Sequence, residues 1–232
     1  MAPILLLLLT AGIVFGQSRA DAPATMLSFQ AANDFALTAS PWAPAWRGLP
    51  GVETSNDRYG KPVDGARTAI RSRWTETNLY FLFVSDFQQM NLRDNPVRIS
   101  ETWGIWDNDV VEVFIGSDLE RIGLYKEFEV TPQEEWVDLD VDRARKGREV
   151  DWLWNSGIEA RSFIDQEQKR WYCEIRIPWA SIDSRPVKAG NELRLNLYRI
   201  EGRNPDRRYI AWRPVNNPSY HTPEAFGRLR LH

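Results

Sequence analysis

The chain has 232 residues, a formal net charge of −3 and 43% hydrophobic residues. That is long enough for one domain with a real core, and the charge leaves no electrostatic case for a nucleic-acid partner. The unusual figure is 11 Trp beside 7 Tyr and 10 Phe. Some of these rings fill a core, and a surplus in a polar chain suits a surface that stacks on flat ligands.

The first twenty residues read as a signal peptide. Residues 4–9 are a solid apolar run, extended by residues 11–15, and Gly16 or Ala20 could end a cleavage site. A basic start is missing, and the run is too short for a permanent bilayer span. The expected mature chain begins between Gln17 and Asp21 and is secreted or periplasmic, with no membrane contact beyond export. One cysteine, Cys173, allows no internal disulfide and no cysteine metal site. It sits on the apolar side of an alternating run and reads as a buried, inert thiol.

Residues 21–65 carry little regular pattern. Pro41, Pro44 and Pro50 break the segment, Trp42 and Trp46 are expected to tuck it against the core, and Asn56-Asp-Arg-Tyr-Gly60 is turn-like. From Ala66 onward the period is two. Residues 68–74 and 79–84 form a hairpin, and a long loop fills 86–101. Short strands are then expected at 110–115, 125–131, 136–141, 171–177, 192–200 and 209–215, with one helical turn at 178–182 and a further strand around Ile158. Many short strands without long helices predict an all-β, antiparallel β-sandwich of the immunoglobulin or jelly-roll kind, in one domain over 66–232.

The alternation sorts side chains onto two faces. One collects Val111, Val113 and Ile115, Phe128 and Val130, Val137, Leu139 and Val141, Trp171, Cys173 and Ile175, and Leu193, Leu195 and Leu197. That face is the expected core. The other interleaves acids, arginines, amides and rings: Glu112, Tyr125, Glu127, Glu129, Trp136, Asp138, Asp140, Tyr172, Glu174, Arg176, Arg194, Asn196 and Tyr198. Such a face can make many directional hydrogen bonds. Cross-strand ion pairs, such as Glu112 with Arg176 or Arg194, are the plain alternative.

Residues 103–115 combine the two parts that sugar recognition needs. Trp103 and Trp106 offer flat rings for the C–H face of a pyranose, and Glu112 offers an acceptor for hydroxyls. Asn216-Asn-Pro-Ser-Tyr220-His-Thr-Pro223 adds amides and another ring. Asn78-Leu-Tyr-Phe-Leu-Phe-Val-Ser-Asp86 after Trp74, Trp106-Asp-Asn-Asp-Val-Val-Glu-Val-Phe-Ile115, Pro178-Trp179, Trp212 and Pro223-Glu-Ala-Phe-Gly227 occur in the order seen in family 9 carbohydrate-binding modules. The chain resembles that family over roughly residues 68–231, including its Trp-x-x-Asp-x-Val-Glu-x-Phe-Ile element. The resemblance implies a non-catalytic β-sandwich, related to haem-binding DOMON-type sandwiches, that holds a saccharide between two rings. It places the first ring on Trp106, the carboxylate on Glu112, the second ring on Tyr220, the amide on Asn217 and an arginine on Arg207 or Arg208. Trp103 extends the stacking surface by inference alone. Tyr220 departs from the family's Trp, and Glu129 stands where the family has an arginine, which reverses a charge. The resemblance also implies possible association with a separate glycan-degrading enzyme. No cofactor is required; a structural calcium has weak candidates in Asp86, Asp94 and Asn95, without EF-hand spacing.

Two other chemistries have residues to carry them. Glu127, Glu129, Asp138 and Asp140 could supply a glycosidase-type carboxylate pair. Met90 and His221 could ligate haem b in an electron-transfer sandwich if the fold brings them together.

Overall fold

Where the sequence alternates, the chain forms strands. The computed structural model describes residues 24–232, and the expected signal peptide lies outside the described residues. The strands are β1 (Thr25–Gln30), β2 (Val52–Thr54), β3 (Thr68–Trp74), β4 (Asn78–Asp86), β5 (Val110–Gly116), β6 (Leu124–Val130), β7 (Trp136–Asp142), β8 (Val150–Asp151), β9 (Glu159–Asp165), β10 (Arg170–Pro178), β11 (Glu192–Glu201), β12 (Arg208–Ala211) and β13 (Gly227–Leu231). A single helical turn, α1 (Trp179–Ile182), follows β10. Two 3-10 turns, Ile105–Asp107 and Pro223–Ala225, lead into β5 and β13.

Two sheets face each other. The first runs β8-β7-β6-β5-β11-β13-β1, with β12 on β11; the second runs β1-β3-β4-β10-β9, with β2 on β3. β1 belongs to both. Thr25 to Ser28 pair parallel with β13, then Phe29 and Gln30 pair parallel with β3. All other pairings are antiparallel. The core between the sheets holds Met26, Phe81, Phe83, Val111, Val113, Ile115, Phe128, Ile175, Leu195 and Leu197, all buried. Cys173 lies among them, and burial pushes its thiol up and out of the reactive range.

Three expectations change. First, the 21–65 segment is not wholly irregular: it supplies β1 and β2. β1 is short and has few apolar residues, so its pattern is weak until β13 and β3 pair with it. Second, β7 presents the opposite face. Its register sets Val137 opposite Glu129, Leu139 opposite Glu127 and Val141 opposite Tyr125, so these three sit outside the core with the glutamates. The tight turn fixes that register, with the Thr131 amide donating to the Glu135 carbonyl and Glu134 at φ 67°. Asp138 turns inward instead and takes the backbone amide of Ser156 at 3.1 Å and its hydroxyl. Alternation divides β7 into two sets but does not say which set meets the core. Third, Tyr172, Glu174 and Arg176 lie on the second sheet, so the single polar face drawn from the sequence is two faces.

That second face is covered by residues 31–50. Phe35 stacks on Tyr80 at 4.1 Å, and Trp46 is wholly buried, as expected, while Trp42 is exposed. Glu174 ties the cover down. Its carboxylate accepts from the amides of Thr38 (2.6 Å) and Ala39 (2.7 Å) and from the Trp46 indole N–H (2.7 Å). Glu174→Ala would orphan these donors and leave a void. It is expected to lower unfolding free energy by about 3 kcal/mol. Urea denaturation checks this, and a loss below about 1 kcal/mol would show that the segment holds without the carboxylate.

Candidate functional site: a carboxylate-floored aromatic cleft

The outward face of the first sheet carries the cleft. Pairing across four strands builds its floor in two rows. Tyr198, Glu112, Glu129 and Val137 form one; Asn196, Phe114, Glu127 and Leu139 form the next. Three glutamates thus meet on adjacent positions of β5 and β6, and all are buried.

One wall is the 3-10 turn that carries Trp106. Gly104 enters it at φ 82°, a left-handed conformation that glycine adopts without strain. The Arg207 guanidinium locks the turn by donating to the carbonyls of Trp106, Asp107 (2.9 Å) and Asn108 (3.1 Å), while also reaching the Gly202 carbonyl at 3.1 Å. Asp109 accepts the Gly202 amide at 2.7 Å. Trp103 packs edge-on against Trp106 at 4.7 Å and lies 5.8 Å from Trp152. Trp103 is 51% exposed, and Trp106 is half-buried.

The opposite wall comes from the loop before β13. Tyr220 stacks on Tyr198 at 3.9 Å with 13° between planes, and its hydroxyl donates to the Ile210 carbonyl at 3.1 Å. It is 8% exposed. Arg58 lays its guanidinium 4.1 Å over the Tyr209 ring and donates to the Pro218 carbonyl. His221 shares a 2.7 Å hydrogen bond with the Tyr125 hydroxyl, and its Nδ1 lies 3.8 Å from Glu127. Together these groups enclose about 390 Å³.

The electrostatics follow from burial. Burial, then the charge of Glu129, raises the Glu112 carboxyl well above its ordinary range, with Arg207 pulling the other way. Burial, then Glu112, pushes Glu127 up to about 8. Burial, then Glu127, raises Glu129. Burial, then Arg143, lowers His221. The floor is a set of crowded acids that resist ionising together.

Of the residues singled out from the sequence, Trp103, Trp106, Glu112 and Tyr220 line this cleft. Asn217 does not. It lines an adjoining hollow with Tyr125 and Arg143, and its side chain accepts the Ser219 amide at 2.9 Å. Arg207 sits behind the Trp106 turn, and Arg208 pairs with Glu201 and donates to the Asp64 carbonyl at 2.6 Å. Neither suggested partner reaches Glu112: Arg176 pairs with Glu159, and Arg194 donates to the Ile122 and Pro223 carbonyls. Met90 and His221 line different clefts, so the fold does not bring the haem candidates together. Asp138 and Asp140 leave the acid group of Glu127 and Glu129, because β7 turns them to the other face. Asp140 pairs with Lys126 at 2.5 Å and Arg145 at 2.8 Å. Asp86 is held by Arg170 at 2.8 Å. Among the described residues no group of three His, Cys, Asp or Glu is gathered as a metal site.

Sequence reading missed Arg58, Tyr209 and Phe114 as parts of the cleft. Arg58 lies in a turn far along the chain from every other lining residue, and nothing local marks it. Phe114 was legible as a face-mate of Glu112 on β5, two positions away.

The sequence profile of a family described as "Carbohydrate family 9 binding domain-like" matches residues 41–232. Endo-1,4-beta-xylanase A of Thermotoga neapolitana is 24% identical over 190 residues, covering 80% of this chain and 16% of the xylanase. The chain therefore spans about a sixth of that relative's length. A protein of Arthroderma benhamiae named "Extracellular protein" is 25% identical over 175 residues, covering 70% of this chain and 78% of its own. Among solved structures, a Bacteroides uniformis protein described as carbohydrate-binding superposes with a TM-score of 0.69 at 13% identity, covering 91% of this chain and all of its own. A family 9 carbohydrate-binding module of Caldicellulosiruptor kristjanssonii, in complex with cellotriose, superposes at 0.59 with 16% identity over 90% of this chain and 93% of its own. At these identities the likeness to solved structures establishes the fold.

Proposed function

The chain belongs to the carbohydrate family 9 binding domain-like family, and from that premise we propose that it is an exported, non-catalytic module that holds a saccharide in the cleft over Glu112. The observation that carries this is the pairing of aromatic walls with a carboxylate floor in a space of about 390 Å³, a size suited to one or two sugar rings. Trp106 covers a pyranose face, Tyr209 and Tyr220 form the far wall, and the glutamates take hydroxyls. Arg207 acts from behind by fixing the Trp106 turn. Asn217 would reach a sugar only in the adjoining hollow.

No bond need be made or broken in this role. The apolar run at residues 4–9 and the relative named "Extracellular protein" support export. The relative named endo-1,4-beta-xylanase A supports a polysaccharide as target and a glycan-degrading enzyme as partner. No cofactor is assigned to the binding step.

Calorimetric titration with cellotriose and with xylotriose tests the proposal, and absence of heat from both, confirmed by a silent glycan array, would sink it. Trp103→Ala is expected to weaken binding by about threefold, because the ring is half-exposed and props Trp106 edge-on. An unchanged affinity would place Trp103 outside the site.

A further inference from the structure

The floor of the cleft contains more acid than a neutral sugar uses. Glu127 and Glu129 are 3% and 2% exposed, and the Oε2 atom of each has no hydrogen-bond partner. Both line the cleft beside Glu112. Leaving a buried polar atom unpaired is unfavourable by about 1–3 kcal/mol, and more for a charged one.

Local cations do not relieve them. Arg207 donates to four carbonyls of the Trp106 turn and its neighbour. Arg58 lies on Tyr209 and donates to Pro218. His221 is engaged with Tyr125, and its Nδ1 stands 3.8 Å from Glu127. Among the described residues, neither Glu112 nor Glu129 is in an ion pair with Lys or Arg. Asp107, Tyr198 and Tyr220 add no positive charge.

A neutral sugar offers hydroxyls, which bring no charge to match a carboxylate on this floor. An ammonium group offers three N–H donors and a full positive charge. The half-buried ring of Trp106 in the cleft wall favours a cation as well. We propose that the cleft selects a saccharide unit bearing a free, protonated amine, a hexosamine that is not N-acetylated, with the ammonium seated on Glu112, Glu127 and Glu129. This inference rests on the saccharide-binding proposal above and narrows its ligand class. Seating the ammonium ionises carboxyls that burial otherwise keeps protonated, so binding releases protons.

Calorimetry on the whole chain at mildly acidic pH tests this with four probes: the β-1,4-linked glucosamine dimer, its N-acetylated counterpart, cellobiose, and calcium ion alone. The expected result is binding of the glucosamine dimer at least about tenfold tighter than either neutral dimer, from one charge-assisted contact. Heats in buffers of different ionisation enthalpy should report proton release. Glu129→Gln and Glu127→Gln should cut the preference below about threefold, with cooperative thermal unfolding like that of wild type showing that the variants are folded. Cellobiose or the N-acetylated dimer binding as tightly as the amine overturns the inference and leaves the saccharide proposal standing. Calcium binding that Glu129→Gln abolishes, with no amine preference, overturns it in favour of a metal site. If no sugar binds, both proposals fall.

Discussion

Trp106→Ala is expected to weaken saccharide binding about ten- to hundredfold and to leave thermal stability nearly unchanged. The ring is half-buried and walls the cleft. Removing it forfeits the stacking area of one sugar face, on the order of 1.5–3 kcal/mol. The backbone beneath does not depend on the ring. It is held by Arg207 on the Trp106, Asp107 and Asn108 carbonyls and by the Asp109 carboxylate on Gly202. Calorimetry beside thermal denaturation separates the two effects. An affinity within twofold of wild type would move the site away from this turn. A large fall in melting temperature would make Trp106 a structural ring instead.

The second large effect is on stability against pH. Glu112, Glu127 and Glu129 are all raised by burial and by one another, Glu127 to about 8 from 4.5. A carboxyl raised in the folded state binds its proton more tightly there than in the unfolded chain. Its contribution is fully present below about 4.5 and is lost as pH rises through about 8. The unliganded protein should therefore lose stability between those limits, by on the order of 3 kcal/mol. His221 works in the opposite sense. Its lowered pKa makes protonation below 6.5 favour unfolding, so the acid effect is cleanest above neutrality. Glu127→Gln/Glu129→Gln should flatten the slope and stabilise the protein at alkaline pH. Denaturation midpoints at several pH values check this, and a double variant as pH-sensitive as wild type would show that the floor ionises without strain.

The sandwich was legible because most of its strands announce themselves. β4 is a continuous apolar run, buried on one face by the core and on the other by residues 35–49. β11 alternates, β5 is an apolar run broken by Glu112, and their inward sets meet as expected. What escaped depends on register and on distant pairing. β7 has two plausible faces, and only the turn at 131–135 chooses between them. β1 and β13 are short, and each is held by two distant partners, β13 and β3 for β1, β11 and β1 for β13. For the site, the Trp106 to Glu112 spacing was visible because the 3-10 turn and β5 follow one another directly in the chain. Arg58 was invisible because it arrives from a turn near the start of the described chain. The carboxylate cluster was half visible: Glu112, Glu127 and Glu129 fell on one face by alternation, but their isolation from cations required the third dimension. Arg176 and Arg194, suggested as partners, are committed elsewhere.

The sharing of β1 between both sheets bears on how the molecule assembles. Thr25 pairs with Arg228 and Phe29 with Arg73, so one six-residue strand joins residues from opposite ends of the described chain. Closing such a link requires a very long loop to be ordered before any contact rewards it. The hairpins β3–β4 and β6–β7 can form early from neighbours in sequence, while the seam at β1 and β13 closes late. Slow refolding should thus be governed by that seam. Until it closes, the β13 edge and the Arg73–Trp74 end of β3 stand unpaired, and the half-built sheets are open to pairing with another chain.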